Sequence, residues 1–199
     1  MTIASDVVDL QFRMPSATDV FGLDTNILLW YSYKPSLIPK AVYRYQPYSS
    51  FIKSAVNSGS SFNVSIINLA ELSHVIERFE WELVGGEAGQ YGTIKDFRAD
   101  PAQHAHVSGE VQAAWAVIMT LATVVDAMLP SSVIPHYLAE YASSQSDAYD
   151  GLLIEAYKSA GVSQLISGDA DWATWAGINL FTANQRVVDA ARIQSMLIP

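Results

Sequence analysis

The chain has 199 residues, half of them hydrophobic, no cysteine, and a formal net charge of −9. That length makes one domain, or one domain with an insertion, and suffices for a sizeable core. The lack of cysteine excludes disulfides, thiolate nucleophiles and cysteine-built zinc sites.

The acidic total argues against nucleic acid, whose binding rests on phosphate neutralisation. The charge is unevenly spread, however. Residues 25–70 contain no Asp or Glu, while Lys34, Lys40, Arg44 and Lys53 lie within them, so that stretch is locally positive. The amino terminus carries Asp6 and Asp9 and does not read as a secretion signal. The most apolar run, 114–125, is bounded by Glu110 and Asp126 and is too short to span a membrane. A cytoplasmic protein without a membrane partner is expected.

Residues 20–23 form a short apolar run ending in Asp24, which predicts a buried strand followed by a helix from Thr25. Residues 62–67 predict a second strand. After it, Leu72, Val75, Ile76 and Phe79 recur at helical spacing. Residues 80–106 are rich in charge and contain Gly85, Gly86, Gly89 and Gly92, the composition of an insertion or mobile loop. A long, mostly buried helix is expected over 108–128 and a short strand over 132–134. A helix is predicted over 147–160, stopped by Gly161. A strand over 162–166, a short helix over 172–176 and a last strand over 178–182 complete the chain. Strands alternating with helices imply an α/β fold: a central, mostly parallel sheet in three αβα layers, formed by residues 1–199 as a single domain.

In such sheets, sites form at the carboxyl ends of the strands, and several acids fall there. Asp24 ends the first strand. Glu71 and Asp150 each sit one turn into a helix, and Asp169 and Asp171 follow the strand that ends at Ile166. Each has a structural alternative. Asp24 and Asp169 suit helix caps, Asn68-x-x-Glu71 and Asp147-x-x-Asp150 have capping-box spacing, and acids favour a helix's first turn. Caps, however, need not converge on one sheet edge. Carboxylates about 4 Å apart repel by roughly 4 kcal/mol at an effective dielectric of 20, so a cluster calls for a cation. Oxygen-only ligands select Mg²⁺ or Mn²⁺, ions suited to phosphodiester hydrolysis.

Phe21-Gly22-Leu23-Asp24-Thr25-Asn26, Asn68-Leu69-Ala70-Glu71-Leu72, Asp150-Gly151-Leu152-Leu153-Ile154-Glu155-Ala156 and Leu165-Ile166-Ser167-Gly168-Asp169-Ala170-Asp171-Trp172 occur in this order. They resemble the four motifs of PIN-domain ribonucleases, many of which are VapC-like toxins. The resemblance spans about residues 20–184. It implies a PIN-like fold and an endoribonuclease that leaves a 5′-phosphate and a 3′-hydroxyl. One or two Mg²⁺ or Mn²⁺ ions would be held by Asp24, Glu71, Asp150, Asp169 and Asp171. Thr25, Asn26 and Ser167 would orient the carboxylates, with Asp147 as a neighbour or alternative to Asp150. It also implies an RNA substrate and a VapB-like antitoxin as partner. A homodimer is open.

Lys34, Lys40, Arg44 and Lys53 interleave with Tyr31, Tyr33, Tyr43, Tyr45 and Tyr48, a pattern that suits single-stranded RNA. The same tyrosines equally suit core packing or a protein-binding groove. Glu71-x-x-His74 has the spacing of half a di-iron site, but the second half is absent. His104-x-His106 shows no third ligand and reads as a surface pair. A housekeeping RNA-processing nuclease, a non-catalytic RNA- or protein-binding PIN-like module, and a phosphatase or DNA nuclease are the competing functions.

Overall fold

The computed structural model describes residues 1–33, 39–125 and 130–198, the side chains of 39–43 excepted. The strands are β1 (Asp6–Asp9), β2 (Val20–Leu23), β3 (Ser61–Ser65), β4 (Thr123–Val125), β5 (Gln164–Ile166), β6 (Asn179–Thr182) and β7 (Leu197–Ile198). The helices are α1 (Thr25–Ser32), α2 (Pro39–Ser58), α3 (Ile66–Leu83), α4 (Ile94–Ala99), α5 (Pro101–Leu121), α6 (Ile134–Ser143), α7 (Ala148–Ser159) and α8 (Gln185–Ile193). The strands form one sheet in the order β4-β3-β2-β5-β6-β1-β7, and every pairing is parallel.

Alternation along the strands builds the two faces, because successive side chains in a strand point to opposite sides. Val8, Phe21, Leu23, Ile166 and Phe181 join the core under α1, α2, α3 and α5. Val7, Leu165 and Leu180 join the opposite core, with Leu153, Ile154 and Tyr157 of α7, Trp172 and Trp175, and Val187 and Ala191 of α8. The result is a three-layer α/β architecture. Among the described residues, no helix is long and apolar enough to cross a membrane.

Three expectations change. The segment 80–106 is largely helical: it contains the end of α3, a 3₁₀ turn at Gly86–Ala88, α4 and the start of α5. Its polar residues act as caps and staples. Thr93 caps α4 and Asp100 caps α5, where Pro101 opens the helix. Phe97 is fully buried, the Trp81 indole donates to Tyr91 O, and the Arg98 guanidinium grips both oxygens of Glu77. The helix expected over 108–128 runs Pro101–Leu121 instead, and β4 follows it. The strand expected over 132–134 is a 3₁₀ turn at Ser131–Val133 leading into α6.

Gly22 faces the second core at a point where nothing larger fits. A Cβ there would lie 2.6 Å from Leu165 Cδ2 and 3.0 Å from the Tyr157 ring. The missing side chain lets Tyr157 of α7 lie across β2, with its hydroxyl 2.7 Å from Leu23 O. Replacing Gly22 with Ala forces these groups apart, and overpacking of this kind costs about 1–3 kcal/mol. Urea denaturation of Gly22→Ala is therefore expected to show a lower midpoint with an unchanged slope; an unchanged midpoint would refute the packing argument.

Candidate functional site

The central strand β2 has β3 on one side and β5 on the other. The chain thus changes direction across the sheet at β2, and such switch points open a crevice at the carboxyl ends of the strands. Asp24 leaves β2, Ser167 and Asp169 leave β5, and α3 starts at the end of β3.

The polar scaffold at this crevice is continuous. Ser65 is the N-cap of α3, its hydroxyl accepting from Ile67 N. Asn68 completes the capping box, its Oδ1 accepting from Ser65 N at 2.8 Å. The box is thus Ser65–Asn68, one turn earlier than the Asn68–Glu71 spacing suggested, and Glu71 takes no part in it. The Asn68 amide donates to Leu23 O and to Thr25 Oγ1, both at 3.1 Å. Thr25 in turn donates to Glu71 Oε2 at 2.6 Å. The Tyr157 hydroxyl reaches Asn68 Oδ1 at 2.9 Å as well as Leu23 O.

Asp24 is buried, with 3% of its surface exposed. It caps α1 through Asn26 N and also receives the Asn26 amide at 2.5 Å and the Ser167 hydroxyl. Asp147 is the exposed N-cap of α7, accepting from Tyr149 N and Asp150 N. Asp150 lies further in and receives the indole N–H of fully buried Trp172 at 2.8 Å. The neighbouring Gly151 leaves room for the Trp175 ring, which a Cβ there would meet at 2.8 Å. Asp169 accepts from Asp171 N, and its own N–H donates to Ser167 Oγ, both at 2.9 Å; it caps no α-helix.

These carboxylates share one field. Burial, then the charge of Asp150 and that of Glu71, raise the Asp24 pKa well above its ordinary value against the opposing Ser167 hydrogen bond. Burial, with the charges of Asp147, Asp169 and Glu71, pushes Asp150 up to about 7. Burial raises Glu71, with Asp147 and Asp169 adding to it. Asp171 is raised by burial and Asp169 and pulled down by Arg186. The oxygen-only donor set and its crowding suit a hard dication, although these carboxylates do not draw three ligand atoms within 4.8 Å of one another. Among the described residues that spacing occurs at Glu80, His106 and Glu110, a group able to hold a metal in which His106, read from sequence as half of a surface pair, is a member.

The basic stretch divides. Lys34 lies outside the described residues, as do the side chains of Lys40 and Tyr43. Arg44 and Lys53 are exposed on α2. Tyr33 and Tyr48 are buried and hydrogen-bonded, to Glu80 and to Thr182 respectively. Tyr45 stacks on Trp30 with ring centres 4.2 Å apart and feels the charges of Arg44, Asp24 and Asp169.

Sequence reasoning missed four groups here. Neither Trp172 nor Tyr157 carries a local signal of a role at the site. Asn184, whose amide donates to Gly168 O at 3.1 Å, and Arg186 follow β6. The rule that sites collect at strand ends, applied to β6, would have found the last two.

A buried carboxyl with a raised pKa holds its proton in the native state after the unfolded chain has lost it. Stability therefore falls as pH rises from the unfolded value of about 4 to the folded value, about 7 for Asp150. Glu77 and Asp100, whose pKa values are lowered, act below that window and do not oppose it. Urea unfolding in chelator is expected to give a lower free energy at pH 7 than at pH 5; a rise between them would contradict this account.

No family model matches the sequence, and no curated protein matches it. Among solved structures, the chain is similar to one in the crystal structure of VapBC2 from Rickettsia felis bound to a DNA fragment from the promoter. That similarity has a TM-score of 0.48 and 13% identity, covering 82% of this chain and 98% of the other. A likeness at that level says nothing about chemistry.

Proposed function

We propose that the protein is an endoribonuclease that hydrolyses RNA phosphodiesters with Mg²⁺ or Mn²⁺. The observation that carries this reading is the convergence of Asp24, Glu71 and Asp150 at the switch point of a parallel sheet, where the charges of Asp150 and Glu71 act on buried Asp24 and that of Glu71 acts on Asp150. A fold does not by itself build a buried group of repelling carboxylates, which is costly unless paired with positive charge.

Asp24, Asp150 and Asp169 would hold the ion, with Asp171 near a second position. The bound ion would supply Lewis acidity at the phosphoryl oxygen. Ser167 and Asn26 orient Asp24, Thr25 orients Glu71 and Trp172 orients Asp150, which fixes carboxylate direction much as hydrogen-bonded partners do in metal sites generally. Asp147 is left to cap α7. Glu71, half-buried and with a raised pKa, would accept a proton from the attacking water. In-line attack would then leave a 5′-phosphate and a 3′-hydroxyl.

RNA would approach across α2, where Arg44 and Lys53 are exposed; Lys34 and Lys40 belong to the same basic stretch of the sequence. Tyr45 beside Asp24 and Asp169 would guide the strand to the acids. A VapB-like antitoxin is the partner implied by the sequence motifs and belongs to the same proposal.

Single-stranded RNA, single-stranded DNA and a small phosphoester, each incubated with Mn²⁺ and with EDTA, test the reaction. RNA is expected to be cut only with metal. Asp24→Asn is expected to slow cleavage by about 100-fold or more, as loss of several kcal/mol of charge stabilisation requires, with an unchanged circular dichroism spectrum. Cleavage in EDTA, or full activity of that variant, would reject the mechanism.

Joint replacement of Lys40 and Arg44 by Ala should weaken RNA binding and reduce its log–log salt slope by about 1.4, at roughly 0.7 per phosphate contact. An unaltered slope would move the RNA path elsewhere.

A further inference from the structure

Glu80 lies nine residues beyond Glu71 on α3, about 14 Å further along the helix. Its side chain is nearly buried, with 5% of the residue exposed. One oxygen accepts from the Tyr33 hydroxyl, and the other lies 3.0 Å from His106 Nε2. His106 and Glu110 sit one turn apart on α5, so both project from the same side of that helix. One ligand atom from each of Glu80, His106 and Glu110 falls within 4.8 Å of the other two. The charges of Glu80 and Glu110 both act on the buried Tyr33 phenol and, behind its burial, hold its proton on.

We propose that Glu80, His106 and Glu110 form a second dication site, separate from the sheet-edge acids, that takes zinc and fastens α5 to α3. An imidazole with two carboxylates is a zinc donor set, whereas Mg²⁺ prefers oxygen alone. Around tetrahedral zinc, with bonds of about 2.0–2.1 Å, ligand atoms stand roughly 3.3–3.4 Å apart. The His106–Glu80 separation of 3.0 Å is close to that, and a Glu110 oxygen lies within 4.8 Å of both ligand atoms. The Tyr33 hydroxyl holds the Glu80 carboxylate in place, as a hydrogen bond behind a ligand commonly does. His106 is exposed and Glu110 half-exposed, so an ion can enter from solvent, and water would complete the coordination. The site would join two helices across a 26-residue separation, adding to the helix caps, the Trp81–Tyr91 hydrogen bond and the Arg98–Glu77 pair that already hold this span.

The test uses chelator-treated full chain carrying Asp24→Asn, so that the sheet-edge acids do not obscure the stoichiometry. Calorimetric titration is expected to show one tight Zn²⁺ per chain. Zinc at about 100 times its dissociation constant should raise the melting temperature by roughly 5–10 °C, and Mg²⁺ at the same concentration should not. Co²⁺ should give the visible absorption of a low-coordinate site. His106→Gln and Glu110→Gln, both at accessible positions, are expected to fold, to lose the tight Zn²⁺ and to lose the shift. If zinc does not bind, or binds equally to the His106→Gln/Glu110→Gln double variant, the proposal fails and protein groups alone balance the two glutamates. RNA cleavage by the wild-type chain is read separately, so failure of the nuclease reading leaves this result unaffected.

Discussion

The arrangement depends on how the carboxyl end of β2 is closed. Leu23 O accepts from Asn68 of α3 and from the Tyr157 hydroxyl of α7. Those two side chains also hydrogen-bond to each other. These contacts tie the strand that delivers Asp24 to the helices that carry Glu71 and Asp150. Leaving a buried polar group without its partner costs about 1–3 kcal/mol, so loss of either side chain is felt at every member. Among the described residues, no buried side-chain nitrogen or oxygen lacks a partner. Gly22 is the steric condition for this closure, because Tyr157 occupies the space where a side chain would stand.

On that frame the acids are held at a cost in charge repulsion. The same hydrogen bonds that orient them partly offset that cost: Ser167 on Asp24, Thr25 on Glu71 and Trp172 on Asp150 each lower a pKa that burial and neighbouring carboxylates raise. A crevice of this kind is hostile to an anion arriving without a cation. The Glu80–His106–Glu110 group is built differently. It lies between helices rather than at a sheet edge, and its imidazole changes the ion it suits. The two groups share α3, which presents Glu71 near one end and Glu80 near the other.

Much of the fold was legible because its signals are local. The apolar, bounded runs ending at Leu23 and Ile166 are strands, and the helix stopped by Gly161 is α7. The region beyond Trp81 misled, because its glycines and charges resemble a loop. Its stability comes from Thr93 and Asp100 as caps and from Phe97 reaching a distant core. Thr123–Val125 looked like the tail of an apolar helix; pairing with β3 made it a strand, a tertiary choice that overrides propensity. For the candidate site, the acids stood out by their places at strand ends. Their supports did not, since Trp172 and Tyr157 each bury a ring and direct one polar atom to the site.

What the sequence determined by itself is the alternation of strands and helices and the position of each acid relative to its own element. Those follow from periodicity and capping, which act over a few residues. Tertiary structure alone decided the strand order that makes β2 the switch point, the choice between Asp147 as cap and Asp150 as inner carboxylate, and the meeting of His106 with Glu80. Each of these depends on which distant side chain fills a given volume or satisfies a given polar atom, and close packing settles that across the whole domain at once.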